Sequence, residues 1–252
     1  MHILVNGCSN TFGANLVDND LLNNKETFAE ADAQRLKLTY GNRLKELLGA
    51  TDYTNLAINC GSNGRIIRTT LDWCLRQNKE TLENTVAVIQ WTHGMRYEYY
   101  IADSQLDDPI EIQTALADRI SKDERWARVK VGVRGGVEGE PREIKGYSVN
   151  ELAQMRFLLW TPQECLYRDI ECYAALDSIF KSFGVRYFYW HLLGYSITDQ
   201  MQPWVQSSFN WVNQNSPSSL DIHYDTLPCQ HPNAAGHRVI GERIYELIKD
   251  RL

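Results

Sequence analysis

The sequence predicts an α/β protein: a central parallel sheet with helices on both faces. Three observations carry that prediction. Four short segments, His2–Asn6, Tyr53–Asn59, Thr85–Trp91 and Val185–Trp190, read as strands, the third as a continuous buried run. Segments of helical character separate them, and strand alternating with helix is the pattern of a parallel sheet. The 252 residues are 43% hydrophobic and 23% charged, ordinary globular usage that excludes disordered, collagen-like and membrane-bundle chains.

Each element has its own warrant. His2 to Asn6 runs into Gly7-Cys8-Ser9-Asn10-Thr11-Phe12-Gly13, a strand entering a tight turn. Residues 26–49 read as one helix, with Leu36, Leu44, Leu47 and Leu48 near a period of 3.6 and Gly49 as C-cap. After the second strand comes Cys60-Gly61-Ser62-Asn63-Gly64, where Ser62 or Asn63 suits an N-cap. Arg65 to Gln77 then forms a helix with Ile66, Ile67, Thr70, Leu71 and Cys74 on one side. A helix near 163–183 precedes the fourth strand, and a last helix presents Ile240, Ile244, Leu247 and Ile248 together. Residues 102–148 interrupt the pattern: they are charged, hold five glycines and lack a sustained period. They read as an insertion, whether lid, small subdomain or solvated loop, in a single domain spanning 1–252.

Charge and cysteine usage narrow the function classes. With 26 Lys+Arg against 32 Asp+Glu the net charge is −6, which argues against a basic face for nucleic acid. Apolar runs such as Val86-Ala87-Val88-Ile89 fall far short of the ~20 residues needed to span a bilayer. No secretory signal is visible at the N-terminus. The cysteines (Cys8, Cys60, Cys74, Cys165, Cys172, Cys229) are scattered without a C-x-x-C pair, so a zinc cluster is not expected. Cys60 and Cys74 sit in apolar contexts that suit free thiols, and the expectation is a reduced, cytoplasmic protein.

Ligands of open α/β sheets bind outside the carboxyl ends of the strands. Gly7–Thr11, Cys60–Gly64, Thr92–Arg96 and His231-Pro232 all fall at or near such ends. Together they offer the parts for acyl transfer. A serine hydroxyl is a poor nucleophile until a base takes its proton, and Ser9 and His231 supply that pair. The backbone N–H groups of Ser9 and Gly61 and the side chain of Asn63 are candidate oxyanion donors. Singly, each residue also reads as a turn former, a cap or a structural histidine; their order along the strand ends gives the combination its weight. Arg96 has the fork to hold a substrate carboxylate or phosphate, with an Arg96–Glu98 pair as its structural alternative. His191, His237, Trp190, Trp204 and Trp211 could line a cleft, but core packing suits them as well.

These blocks resemble those of the SGNH (GDSL-like) hydrolases, including divergent SGNH-like proteins of phages and marine bacteria. Gly7-Cys8-Ser9-Asn10-Thr11 is similar to Gly-Asp-Ser-x-Ser/Thr, with Cys8 in place of Asp. Asn55–Gly61 resembles the second block, and His231-Pro232 followed by Gly236-His237 resembles the last. The resemblance implies a three-layer α/β/α sandwich of flavodoxin-like build. It also implies a serine esterase or acyl hydrolase without metal or cofactor, acting on a small O-acyl ester, with a carbohydrate ester as one candidate. Two positions depart from the pattern. Trp91-Thr92-His93-Gly94 stands where Gly-x-Asn-Asp is expected, leaving His93 or Asn63 as the replacement donor. Pro228 stands three residues before His231 where an Asp is expected, leaving Asp225, Asp221 or a Ser–His dyad. Both departures also suit a catalytically inactive binding or structural module. A nucleotide-binding reading lacks both G-x-G-x-x-G and a P-loop. Oligomeric state is not legible.

Overall fold

The computed structural model describes residues 1–24, 26–59, 61–92, 96–100, 126–131, 137–139, 143–144, 147–148, 161–191, 203–214, 220 and 222–252. Its centre is a four-stranded, all-parallel sheet of β1 (His2–Asn6), β2 (Asp52–Asn55), β3 (Thr85–Trp91) and β9 (Arg186–His191), in the order β2-β1-β3-β9. The register pairs Val5 with Asn55 on one side and with Val88 on the other. Trp211 adds a parallel bridge to Tyr189 on the outer side of β9. The chain winds from β1 out to β2, then returns across β1 to β3 and β9. The winding reverses between β1 and β3, which is where such sheets open a crevice for ligands.

Strand side chains alternate between faces, so each face of this sheet carries its own core. On one face Leu4, Ala87, Ile89, Trp91, Tyr187 and Tyr189 pack with α5 (Asn63–Arg76) and α7 (Pro162–Phe183) through Ile66, Tyr173, Leu176 and Phe180. On the other, Ile3, Val5, Val86, Val88, Phe188 and Trp190 pack with α4 (Tyr40–Leu47) and α9 (Ala234–Ile248) through Tyr40, Leu44, Ile240 and Ile244. Burying each large apolar side chain contributes about 1.5–3 kcal/mol, so this two-sided burial is what makes β3 apolar at nearly every position. Three of these four helices start on side-chain caps: Ser62 Oγ accepts from Arg65 N–H, Thr161 from Glu164 N–H, and Asn233 from Gly236 N–H.

Three expectations change in detail. The helix read over 26–49 is two helices, α3 (Phe28–Leu38) and α4, because Thr39 turns to an extended backbone (ψ 155°) and caps Leu36 O with its hydroxyl at 2.8 Å. The inward face of α3 is polar rather than a leucine stripe. Buried Arg35 there pairs with Asp32, donates to the Phe12 carbonyl and lies 3.8 Å over the Phe12 ring. The second strand stops at Asn55 because its side chain turns the backbone: Oδ1 accepts from Ala57 N–H at 3.0 Å and Nδ2 donates to Thr11 O at 2.9 Å. Within the insertion, the described residues are antiparallel strands. β4 (Tyr97–Tyr100), which runs beside α5, pairs with β5 (Trp126–Val131), which pairs with β6 (Val137–Gly139); β7 (Glu143–Ile144) pairs with β8 (Tyr147–Ser148).

Among the described residues, no helix is long and apolar enough to cross a membrane. Cys8, Cys74, Cys165, Cys172 and Cys229 are free thiols, and Cys60 lies outside the described residues.

Candidate active site

The end of β1 is fixed from beneath. Asn6 is fully buried, and its Nδ2 lies within hydrogen-bond distance of Ile66 O (3.1 Å), Thr69 Oγ1 (2.9 Å) and Thr70 Oγ1 (2.9 Å). Its Oδ1 accepts from Gly7 N–H at 2.8 Å. One amide thus ties the strand end to α5 and sets the direction in which the chain leaves the sheet. Residues Ser9–Phe12 then make the single turn α1, closed by Gly13 in the left-handed region (φ 83°), whose N–H returns to Ser9 O. Gly61 comes against this turn: a β-carbon there would stand 2.9 Å from the Gly7 carbonyl, so only glycine allows the two backbones to approach this closely.

His231 comes from the other end of the chain on a loop closed across its base. Thr226 bridges Pro232, Leu227 N–H donates to His231 O at 2.8 Å, and Gln230 at φ 68° makes the tight turn. Asn233 then caps α9 directly behind it. The loop places His231 Nε2 2.9 Å from Ser9 Oγ, across 222 residues of sequence. Ser9 is 8% exposed, and His231 is half-buried. Burial first, and the Arg96 guanidinium second, lower the His231 pKa below its ordinary value of 6.5. The imidazole is therefore neutral at pH 7, the state in which a ring nitrogen can accept a hydroxyl proton.

Among the described residues, the other ring nitrogen does not meet a carboxylate. Nδ1 lies 3.3 Å from Cys229 Sγ. The Asp225 side chain is exposed and makes no hydrogen bond to His231; its backbone carbonyl accepts from Asn233 N–H at 3.1 Å. Asp221 and His93 lie outside the described residues.

Asn63 sits beside the site with its amide in use. Nδ2 lies 2.7 Å from Asp169 Oδ1 and 3.2 Å from Thr92 O, while Oδ1 accepts from Thr92 N–H at 3.0 Å. These bonds join the start of α5 to the end of β3, and service to an oxyanion would require one of them to open. The Gly61 N–H is held more loosely, at 3.4 Å from Ile58 O. Arg96 donates from Nη1 to Thr92 Oγ1 at 2.9 Å, and its Nε is buried without a partner among the described residues. The Glu98 and Trp204 side chains are not among those described. Trp190 and Trp211 are core residues, as is His191, which pairs with Tyr173 Oη at 3.0 Å. His237 packs in the first turn of α9, where its Nδ1 accepts from Tyr40 N–H at 3.2 Å.

Sequence reasoning passed over Asp169, Cys229 and Asn15. Asp169 is the most unusual electrostatically: burial pushes its carboxyl up to about 7, only partly offset by the Asn63 hydrogen bond, and Oδ2 has no partner among the described residues. A raised carboxyl binds its proton more tightly in the folded chain than in the unfolded one. Stability therefore falls as pH rises from about 4, where the unfolded group ionises, to about 7, where the folded group does. Asp169→Asn is expected to remove this slope. His191 (about 4) and His237 (about 3) act in the opposite sense, losing stability as pH falls below 6.5, but they are common to both proteins and cancel in the difference. The check is the wild-type minus variant melting temperature between pH 4.5 and 8, which should decline with rising pH; a constant difference would refute the assignment.

A protein-family model described as a family of unknown function (DUF6071) matches residues 19–131. No curated protein matches the chain. The matched span takes in Gly61, Asn63 and Arg96 and leaves Ser9 and His231 on either side.

Proposed function

We propose that this protein is a serine-dependent ester hydrolase of the SGNH type, built as a three-layer α/β/α sandwich and acting in the cytoplasm on a small O-acyl ester. The observation that carries the reading is the 2.9 Å approach of Ser9 Oγ to His231 Nε2 at the strand ends where the winding reverses. Core residues on both faces of the sheet support the layered frame.

In this mechanism Ser9 Oγ attacks the ester carbonyl carbon while its proton passes to His231 Nε2. Negative charge gathers on the former carbonyl oxygen, and the backbone N–H groups of Ser9 and Gly61 are the donors assigned to it, the Gly61 N–H leaving its long contact with Ile58 O to do so. The carbon–oxygen bond to the alcohol then breaks, and His231 returns the proton to the departing oxygen. Water, deprotonated by the same imidazole, releases the acid from Ser9. The Arg96 charge reaches His231 and lowers its proton affinity, which supports assigning Arg96 to an anionic group on the acyl or sugar part of the substrate.

A second reading, a non-catalytic SGNH-like binding module, draws on the engaged Asn63 amide and on Cys229, rather than a carboxylate, as the partner of His231 Nδ1 among the described residues. A fluorophosphonate probe separates the two. Wild-type protein is expected to take the label and Ser9→Ala to take none. An unlabelled wild type would leave the binding module as the better account.

A further inference from the structure

Resting on the hydrolase reading, we propose that Cys229 is a positioning residue: it holds His231 in the tautomer that can accept the Ser9 proton, where a carboxylate would stand in a Ser–His–Asp triad.

The argument begins with proton placement. For Nε2 to take the serine proton, the ring's own hydrogen must sit on Nδ1, and Nδ1–H then needs an acceptor. The Cys229 sulfur lies 3.3 Å away. A thiol can also donate, and in that orientation it would force the hydrogen onto Nε2 and block the base. A second contact shows the sulfur already acting as an acceptor. Asn15 Nδ2 lies 3.2 Å from the same sulfur and can only donate. The Asn15 amide is oriented in turn, because its Oδ1 accepts from Asn19 Nδ2 at 2.7 Å. With Asn15 on one lone pair, the sulfur keeps a second, which is assigned to Nδ1–H. The chain of contacts thus runs Asn19, Asn15, Cys229, His231, Ser9. Both bends in it are left-handed: Asn15 has φ 62° and Gln230, between Cys229 and His231, has φ 68°. That conformation is rare for residues other than glycine, and here it occurs at the two places that bring this chain together.

Sulfur is a weaker acceptor than a carboxylate, so it holds the developing imidazolium less tightly. That difference makes the proposal testable without relying on loss of activity alone. Among the described residues, the groups that act on His231 are Ser9 from the β1 turn, Arg96 from beyond β3, His237 from α9 and Cys229 from its own loop. Only Cys229 is varied in the test. Cys229→Ala is expected to lower kcat/KM for an activated short-chain ester by about tenfold to a hundredfold. Cys229→Asp is expected to restore it. The acid limb of the pH–rate profile should move upward in the order Ala, Cys, Asp, since each acceptor stabilises the imidazolium more than the last.

Unchanged rates and an unmoved limb in Cys229→Ala would overturn the proposal. So would equal losses in Ala and Asp without the ordered shift, because they would reduce Cys229 to a support of the loop. An NMR titration of the His231 ring in the three proteins reads the same order without turnover. If wild-type Ser9 takes no probe yet the order appears, the positioning stands and the hydrolase reading falls. If the order is absent, the positioning falls whatever the labelling shows.

Discussion

Ser9→Ala is expected to lower hydrolysis of an activated short-chain ester by about a thousandfold or more, and His231→Gln by a comparable factor. Each removes one half of a single proton-transfer unit: without Oγ nothing attacks, and without Nε2 the hydroxyl at 2.9 Å keeps its proton. The double variant should therefore be no slower than the worse single one. Residues that act as one unit lose their effect together, whereas independent contributions multiply. The rates of all four proteins, together with matched circular dichroism spectra, form the test. A Ser9→Ala rate within about twofold of wild type would end the nucleophile assignment, and multiplied losses in the double variant would end the pairing.

How far the site was readable in advance follows from which forces placed each residue. β3 announced itself because burial on both faces leaves a continuous apolar run, and the loop at its end follows. Ser9 and His231 could be put on neighbouring loops for the same reason: parallel strands deliver their carboxyl ends to one edge. The interactions that are set by one specific contact left no periodic trace. Asp169 is a single acid on a long helix, and nothing in its neighbours shows that it faces Asn63. Arg35 defeats a hydrophobicity pattern because its charge is satisfied inside the fold by Asp32 and the Phe12 carbonyl. Asn63 had two plausible uses, cap or oxyanion donor, and the tertiary contact with Thr92 and Asp169 engages it in neither. Cys229 stands two residues from His231, a spacing that carries chemistry only once Gln230 turns the chain back.

Gly7→Ala is expected to cost about 2–4 kcal/mol of stability, a large effect for one methyl group. The added β-carbon would lie 2.9 Å from Gln90 Cβ and from Thr11 Cβ, and closer still to Thr11 Oγ1. None of these neighbours can retreat cheaply. Thr11 Oγ1 donates to Gln90 Oε1 and lies 3.1 Å from Tyr40 Oη, and all three residues are buried. Tyr40 is itself held through its N–H by His237. The strain must therefore go into the backbone of the turn, two residues before Ser9, so activity should fall with stability even at temperatures where the variant remains folded. Gly64→Ala is the matched control: its β-carbon would meet only Ser62 Oγ, at 3.9 Å, and it lies within α5, where alanine outranks glycine by about 0.5–1 kcal/mol. Urea midpoints should therefore move in opposite directions for the two substitutions. A Gly7→Ala protein as stable and active as wild type would mean that the Thr11–Gln90–Tyr40 cluster can yield, and that the turn carrying Ser9 is not held by it.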